Sequence, residues 1–400
     1  MNVGWLTDLG TDLTQERGDD MRNPLLNVQK FGQSIWYDNI RRGLMTSGEL
    51  REMVERDGLL GITSNPAIFE KALAGSTDYD QALERLVSNG AGTAKDIFES
   101  LAIEDIQLAA DVMYPVYVRT GRRDGHVSFE VSPYLAHDTQ GTVEEARRLR
   151  TLIGRDNVMI KVPGTPEGIP AFKQLISEGI NINVTLLFSV EVYREVALAY
   201  MEGLEGLAEA GGDVSKVASV ASFFVSRIDS LVDQKLIEAQ KATPNPEARA
   251  KLESMAGKVA IANAKIAYAL YQELYAEKRW KALAGKGAKS QRLLWASTST
   301  KNPKYSKTLY VDELIGQETV NTLPAETLTE LRSAGSVRPG LTENWEESIG
   351  QAQETMRILA QVNISMEEVT DTLLREGVEK FSEAFEQLLS ALGKKRQALL

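Results

Sequence analysis

The chain has 400 residues, 43% hydrophobic and 25% charged, a balance that supports a substantial folded core. Its formal net charge of −11 argues against nucleic acid or an anionic membrane surface as the main partner. A small phosphorylated ligand is still allowed, because a local pair of cations can hold a phosphate on an acidic protein.

The absence of cysteine excludes disulfides, thiolate metal sites and a cysteine nucleophile. Two histidines, His126 and His137, are too few for a three-histidine zinc site and leave little for a Ser-His-Asp triad. No run reaches the roughly 18 apolar residues of a membrane span. The first residues carry no apolar leader, so a cytoplasmic protein is expected.

Residues 1–22 show no clear periodicity and read as an N-terminal extension. After them, strand-like and helix-like patterns alternate. Runs rich in β-branched and aromatic residues fall at Ser34–Asn39, Leu59–Ser64, His126–Val131, Val158–Val162, Ile180–Phe188, Val217–Val225, Leu293–Ser297 and Glu318–Leu323. Most are apolar on both alternating faces, as parallel strands packed on both sides must be.

Helix signals lie between them. Ser47 precedes Leu50, Met53 and Val54, with Gly58 at the stop. Thr142 and Glu145 form a capping box before Leu149 and Leu152, and Ser189 opens a long helix ending at Gly211-Gly212. Eight such runs interleaved with helices predict a closed (β/α)₈ barrel or a doubly wound sheet. About residues 230–290 exceed what a plain barrel needs and read as a helical insertion, broken at Thr243-Pro244-Asn245-Pro246. About residues 343–400 predict further helices. In the last, Ser365 and Glu368 form a capping box, and Val369, Leu373, Phe381, Phe385, Leu388 and Leu392 recur near helical spacing. This segment either packs on the body or covers a site.

Several apolar runs carry a polar misfit. Asp38 follows Ile35-Trp36-Tyr37, Asn65 precedes Pro66, Glu130 stands between Phe129 and Val131, and Lys161 between Ile160 and Val162. Asn181, Asn183 and Thr185, spaced by two, share one strand face. A buried amide or charge without a partner costs kilocalories, so each needs a partner or a chemical task. In an α/β barrel, residues near the carboxyl ends of strands converge on one mouth.

Burial disfavours a charged ammonium, and a neutral amine at Lys161 could add to a ketone and form an imine. A salt-bridged lysine is the alternative. Glu130 either pairs with a buried cation or moves protons through a water; Asp38 either caps a helix or takes a proton from a hydroxyl. Asn65 before Pro66 is also a common turn signature. Arg227, after Ser222-Phe223-Phe224-Val225-Ser226, and Lys301, after Ser297-Thr298-Ser299-Thr300, are placed to clamp a phosphate or to be solvated.

These blocks resemble the transaldolase family. The matching stretches are Trp36-Tyr37-Asp38, Thr63-Ser64-Asn65-Pro66, Ser128-Phe129-Glu130-Val131-Ser132, Ile160-Lys161-Val162-Pro163-Gly164-Thr165, Gly179 to Ser189, and Ser222 to Asp229, in family order across most of residues 23–330. The resemblance implies a (β/α)₈ barrel without metal or cofactor. It implies a Schiff-base lysine at Lys161, Glu130 and Thr185 positioning a catalytic water, and Asp38 as acid/base. It further implies hydroxyl-binding Asn65 and Asn183, site-lining Ser222 and Phe224, and Arg227 on phosphate.

Where the shorter members carry arginine after a Ser-aromatic pair, this chain reads Ser299-Thr300-Lys301, so Lys301 offers charge without a bidentate fork. Its length and insertion resemble the longer bacterial subfamily, some of whose members are fused to phosphoglucose isomerase. The implied activity is transfer of a dihydroxyacetone unit between phosphorylated sugars in the non-oxidative pentose phosphate pathway. A fructose-6-phosphate aldolase-type enzyme and a non-catalytic sugar-phosphate-binding barrel are the alternatives, and oligomeric state is open.

Overall fold

The computed structural model describes residues 23–90, 92–334 and 336–400, so the predicted extension over residues 1–22 lies outside the described residues. Eight parallel strands close into a barrel in the order β1 to β8: Gln33–Asp38, Gly61–Thr63, His126–Glu130, Val158–Pro163, Ile182–Leu187, Ser219–Phe224, Arg292–Ala296 and Thr319–Leu323. All eight predicted runs are strands, so the closed alternative holds and the doubly wound one does not. Pairing of Gln33 with Thr319 through Tyr37 with Leu323 shuts the ring between β1 and β8. Strands β4, β5 and β6 are buried at every position, which is why they read as apolar runs broken only by isolated polar residues.

Side chains fill the barrel interior, and one close approach fixes a residue type. Trp36 on β1 lies opposite Gly61 on β2, where an added Cβ would stand 2.4 Å from the indole ring. Only glycine admits that ring. Below it, toward the amino ends of the strands, Trp36 Nε1 donates to Asp124, which also pairs with Arg292 at 2.8 Å.

Local signals set most helix starts. Asn65 caps Pro66–Gly75 by accepting from the Ile68 N–H, with Pro66 in the first turn, where its missing donor costs nothing. Ser189 caps Val190–Glu209, and Ser365 caps the 34-residue helix Met366–Leu399. The predicted box at Thr142 and Glu145 is corrected: that helix starts a turn earlier, at Thr139, capped by Asp138. Thr142 lies inside it, donating to the Leu135 carbonyl instead.

Between β6 and β7 run four helices, Ser226–Ala242, Pro246–Glu253, Val259–Ala276 and Lys278–Ala284, with the predicted break bridged by an Asn245 cap. Helix Trp345–Gln361 packs on Val259–Ala276. The C-terminal helix Met366–Leu399 crosses the carboxyl-end mouth, touching Pro66–Gly75, Ala94–Arg119, Ser226–Ala242 and β5. It therefore does both things left open for it: its apolar stripe packs on the body, and the same stripe roofs the mouth.

Candidate active site

Register puts the central residues side by side, Glu130 opposite Lys161 across β3 and β4, and Lys161 opposite Asn183 across β4 and β5. Lys161 is 5% exposed; its Nζ donates to the Ser64 carbonyl at 2.9 Å and stands 2.6 Å from Glu130 Oε1. Burial raises the Glu130 carboxyl above the ordinary range; Lys161 opposes that rise and Asp38 adds to it.

Glu130 Oε2 and Thr185 Oγ1 are buried without a hydrogen-bond partner among the described residues. Both residues, with Lys161, line a cavity of ≈ 20 Å³. That exceeds the roughly 10–15 Å³ one water needs, and several polar groups face it. Strand β5 is irregular between Val184 and Leu187, with Leu186 at φ +61°, immediately after Thr185. A left-handed leucine costs on the order of 1–2 kcal/mol, strain of the kind that collects where a neighbouring side chain must be aimed.

Asp38 ends β1 and caps no helix; the next helix, Arg42–Thr46, starts after Arg41. Its Oδ1 accepts from Thr63 Oγ1 at 2.7 Å, and Thr63 in turn meets Thr322 at 2.6 Å. Burial raises the Asp38 carboxyl, while Thr63, Lys161 and Lys301 pull it back.

Asn183 is held from both sides, donating to Ser128 Oγ at 3.1 Å and accepting from Ser222 Oγ at 2.7 Å. Ser222 Oγ is thus engaged with Asn183. Asn65 uses its Oδ1 as the helix cap but stands at the rim, its Nδ2 without a partner among the described residues.

The outer end is a cavity of ≈ 630 Å³, within the range of small-ligand sites, lined by Asp38, Asn65, Phe224, Arg227, Ser299 and Lys301 among others. The Arg227 guanidinium lies 5.5 Å from the Phe224 ring centroid, and its Nη1 is buried without a hydrogen-bond partner among the described residues. Desolvation pushes Arg227 below its usual value. Desolvation and then Arg227 do the same to Lys301, whose Nζ donates to Ser299 Oγ at 2.7 Å. Neither cation has a carboxylate within ion-pair distance among the described residues. An anion supplied from outside would relieve both.

Nine of the eleven predicted residues therefore line the two cavities, while Asn183 and Ser222 are buried and hydrogen-bonded to each other. Sequence reading missed Ser64, Thr63 and Ser128 as site residues, although all three stand inside the matched blocks. They hold Lys161, Asp38 and Asn183 through a carbonyl and two hydroxyls. Thr63 and Ser64 stand within two residues of Asn65, and Ser128 two residues before Glu130, which was the available signal. Among the described residues, no three acidic or histidine side chains converge as metal ligands.

A closed eight-stranded parallel barrel with a polar, cation-lined cleft at its carboxyl-end mouth defines the class as a (β/α)₈-barrel enzyme. More narrowly, the chain belongs to the Transaldolase/Fructose-6-phosphate aldolase family, whose model matches residues 35–392. It is 51% identical over 379 residues to a transaldolase of Trichodesmium erythraeum, covering 94% of this chain and 98% of that one. It is 50% identical over 373 residues to Transaldolase 2 of a Nostoc species, covering 92% and 97%. Against a transaldolase of Acidothermus cellulolyticus the identity is 44% over 372 residues, covering 93% and 96%.

Proposed function

We propose that this chain is a transaldolase acting on phosphorylated sugars, with Lys161 forming the Schiff base and the cytoplasm as its expected compartment. One observation carries the reading. The amine of Lys161 stands 2.6 Å from a carboxylate at the buried end of a site whose open end holds Arg227 and Lys301, neither with a carboxylate partner among the described residues.

The chemistry follows from that arrangement. Lys161 Nζ adds to the C2 ketone of a ketose phosphate whose phosphate rests on Arg227 and Lys301. Proton transfer through a water between Glu130 and Thr185 expels hydroxide from the carbinolamine as water; a carboxyl held above its ordinary range suits that task near neutral pH. The resulting iminium withdraws electrons from C3. Asp38 takes the C4 hydroxyl proton, the C3–C4 bond breaks, and an aldose phosphate leaves. Asn65 and Asn183 hold hydroxyls of the three-carbon enamine that remains. C3 of the enamine attacks the aldehyde of an acceptor, and hydrolysis of the new iminium returns the free amine.

Sodium borohydride added with fructose 6-phosphate should fix a reduced dihydroxyacetone unit on Lys161, found by peptide mass analysis and absent in Lys161→Ala. Unlabelled Lys161 in an active protein would end the Schiff-base reading. Product analysis with and without erythrose 4-phosphate separates transfer from simple release of dihydroxyacetone.

A further inference from the structure

The two cavities meet at one side chain. Phe381, from the C-terminal helix, lines both the small cavity holding Glu130, Lys161 and Thr185 and the large one holding Asp38, Arg227 and Lys301. Its helix neighbours fix where it sits. Four residues before it, Gly377 is buried against Leu186; a Cβ there would stand 2.9 Å from the leucine Cδ2. Four residues after it, the Phe385 ring meets those of Phe98 at 5.4 Å and Tyr134 at 5.6 Å, edge to face. Residues at this spacing share one helix face. Phe381 is thus held between two packed contacts, over the passage from phosphate end to amine end.

A ketose bound as proposed must run past this ring, and the enamine left after cleavage lies on its inner side. That enamine has two fates. Its C3 can bond to an acceptor aldehyde, which is transfer. Alternatively C3 takes a proton from water, forming a C–H bond and an iminium; a second water adds at C2, the C2–N bond breaks, and dihydroxyacetone and the free amine result. Which fate wins depends on how freely water from the large cavity reaches C3. The ring is apolar, offers no proton, and occupies the boundary between the cavities.

We propose that Phe381 is a specificity-determining residue that keeps bulk water from the enamine and so commits this enzyme to transfer over release. The inference rests on the Schiff-base reading above. It gives the C-terminal helix a chemical task in addition to its packing.

The test measures, with fructose 6-phosphate as donor, the rate of dihydroxyacetone release without acceptor and the rate of transfer to erythrose 4-phosphate. The ratio of release to transfer should rise about tenfold in Phe381→Ala, and less in Phe381→Leu, which keeps an apolar branch over the passage. Phe385→Leu, which loosens the same helix without touching the boundary, should keep the wild-type ratio. Because both rates come from one preparation, a poorly folding variant lowers both and leaves the ratio readable. A Phe381→Ala ratio within twofold of wild type overturns the proposal, as does an equal rise in Phe385→Leu. Borohydride trapping is run alongside. No adduct in the wild type means the Schiff-base reading has failed; an adduct with an unmoved ratio means only the role of Phe381 has failed.

Discussion

Two buried ion pairs stand at opposite ends of the same barrel. At the amino ends of the strands, Arg292 and Asp124 are 2.8 Å apart with side chains 4% and 5% exposed. Nearly every polar atom there is used. Asp124 accepts from Trp36 and Ser34, and Arg292 donates to Ser34 and to the Arg123 carbonyl. At the carboxyl ends, Lys161 and Glu130 are 2.6 Å apart; among the described residues Glu130 Oε2 has no hydrogen-bond partner, nor has Thr185 Oγ1 on the same cavity. Burial raises the pKa of both carboxyls, yet Arg292 and its neighbours bring Asp124 below its ordinary value while Glu130 stays above. A pair whose hydrogen bonds are completed becomes structure. A pair left short of partners keeps its carboxyl easier to protonate and leaves a place for a substrate.

Exchanging the damage separates the two ends most sharply. Lys161→Ala should lower kcat/KM on the order of 10⁴-fold or more, while the urea midpoint stays near wild type, because a lone Glu130 can hold a proton. Arg292→Met should do the reverse. It leaves Asp124 buried without its cation, a loss of roughly 3–5 kcal/mol, read as a lower urea midpoint, while folded protein still forms the borohydride adduct. The acid limb should move too. A depressed folded pKa gives Asp124 stability above its unfolded value of about 3.9, lost as pH falls through the folded value. In Arg292→Met nothing cationic offsets the burial, so this acid-side loss should shrink or vanish. Similar stability losses from both substitutions would dissolve the contrast.

A smaller change tests the incomplete end alone. Thr185→Val keeps shape and strand preference but removes the unpartnered hydroxyl. Turnover should drop about 10²-fold as the water loses one holder, with the Lys161 adduct still trapped. Stability should rise by up to about 1 kcal/mol, since a buried hydroxyl without a partner is replaced by a methyl. Chemical denaturation and steady-state rates on one preparation would show both; a loss of stability would mean Oγ1 has a structural partner after all.

The two ends were also unequally legible. The upper residues announced themselves because Lys161, Glu130 and Asp38 interrupt apolar runs, and the strand period places them on the inward face. The lower pair did not. Arg292 stands one residue before the run read as Leu293–Ser297, and Asp124 sits in the polar stretch Arg122-Arg123-Asp124, where a charge is unremarked. Only closure of the barrel brings them together. Leu186 was hidden for another reason: a bulge changes register without changing the apolar pattern of Val184 to Leu187. The last helix gave its length and apolar face in its spacing, but not which surface that face covers, because amphipathicity carries no address.

A third buried carboxylate sharpens the contrast by removing the cation altogether. Asp229, two residues past Arg227, accepts from the Ala260 N–H at 2.7 Å and from Tyr310 Oη at 2.9 Å. Hydrogen bonds alone do not offset its burial, which raises it to about 7, with Asp233 adding to the rise. The sign is opposite to that of Asp124. A raised folded pKa makes the protonated form the favoured one, so this contribution is complete below the unfolded value of about 3.9 and is lost as pH rises through about 7. Asp229→Asn keeps the shape and cannot ionise. Its unfolding free energy should therefore fall less than that of the wild type between pH 5 and about 8, measured by urea titration at each pH. Parallel wild-type and variant curves would mean that Tyr310 and the Ala260 N–H suffice to hold the ionised carboxylate, and that a missing cation is not what distinguishes these sites.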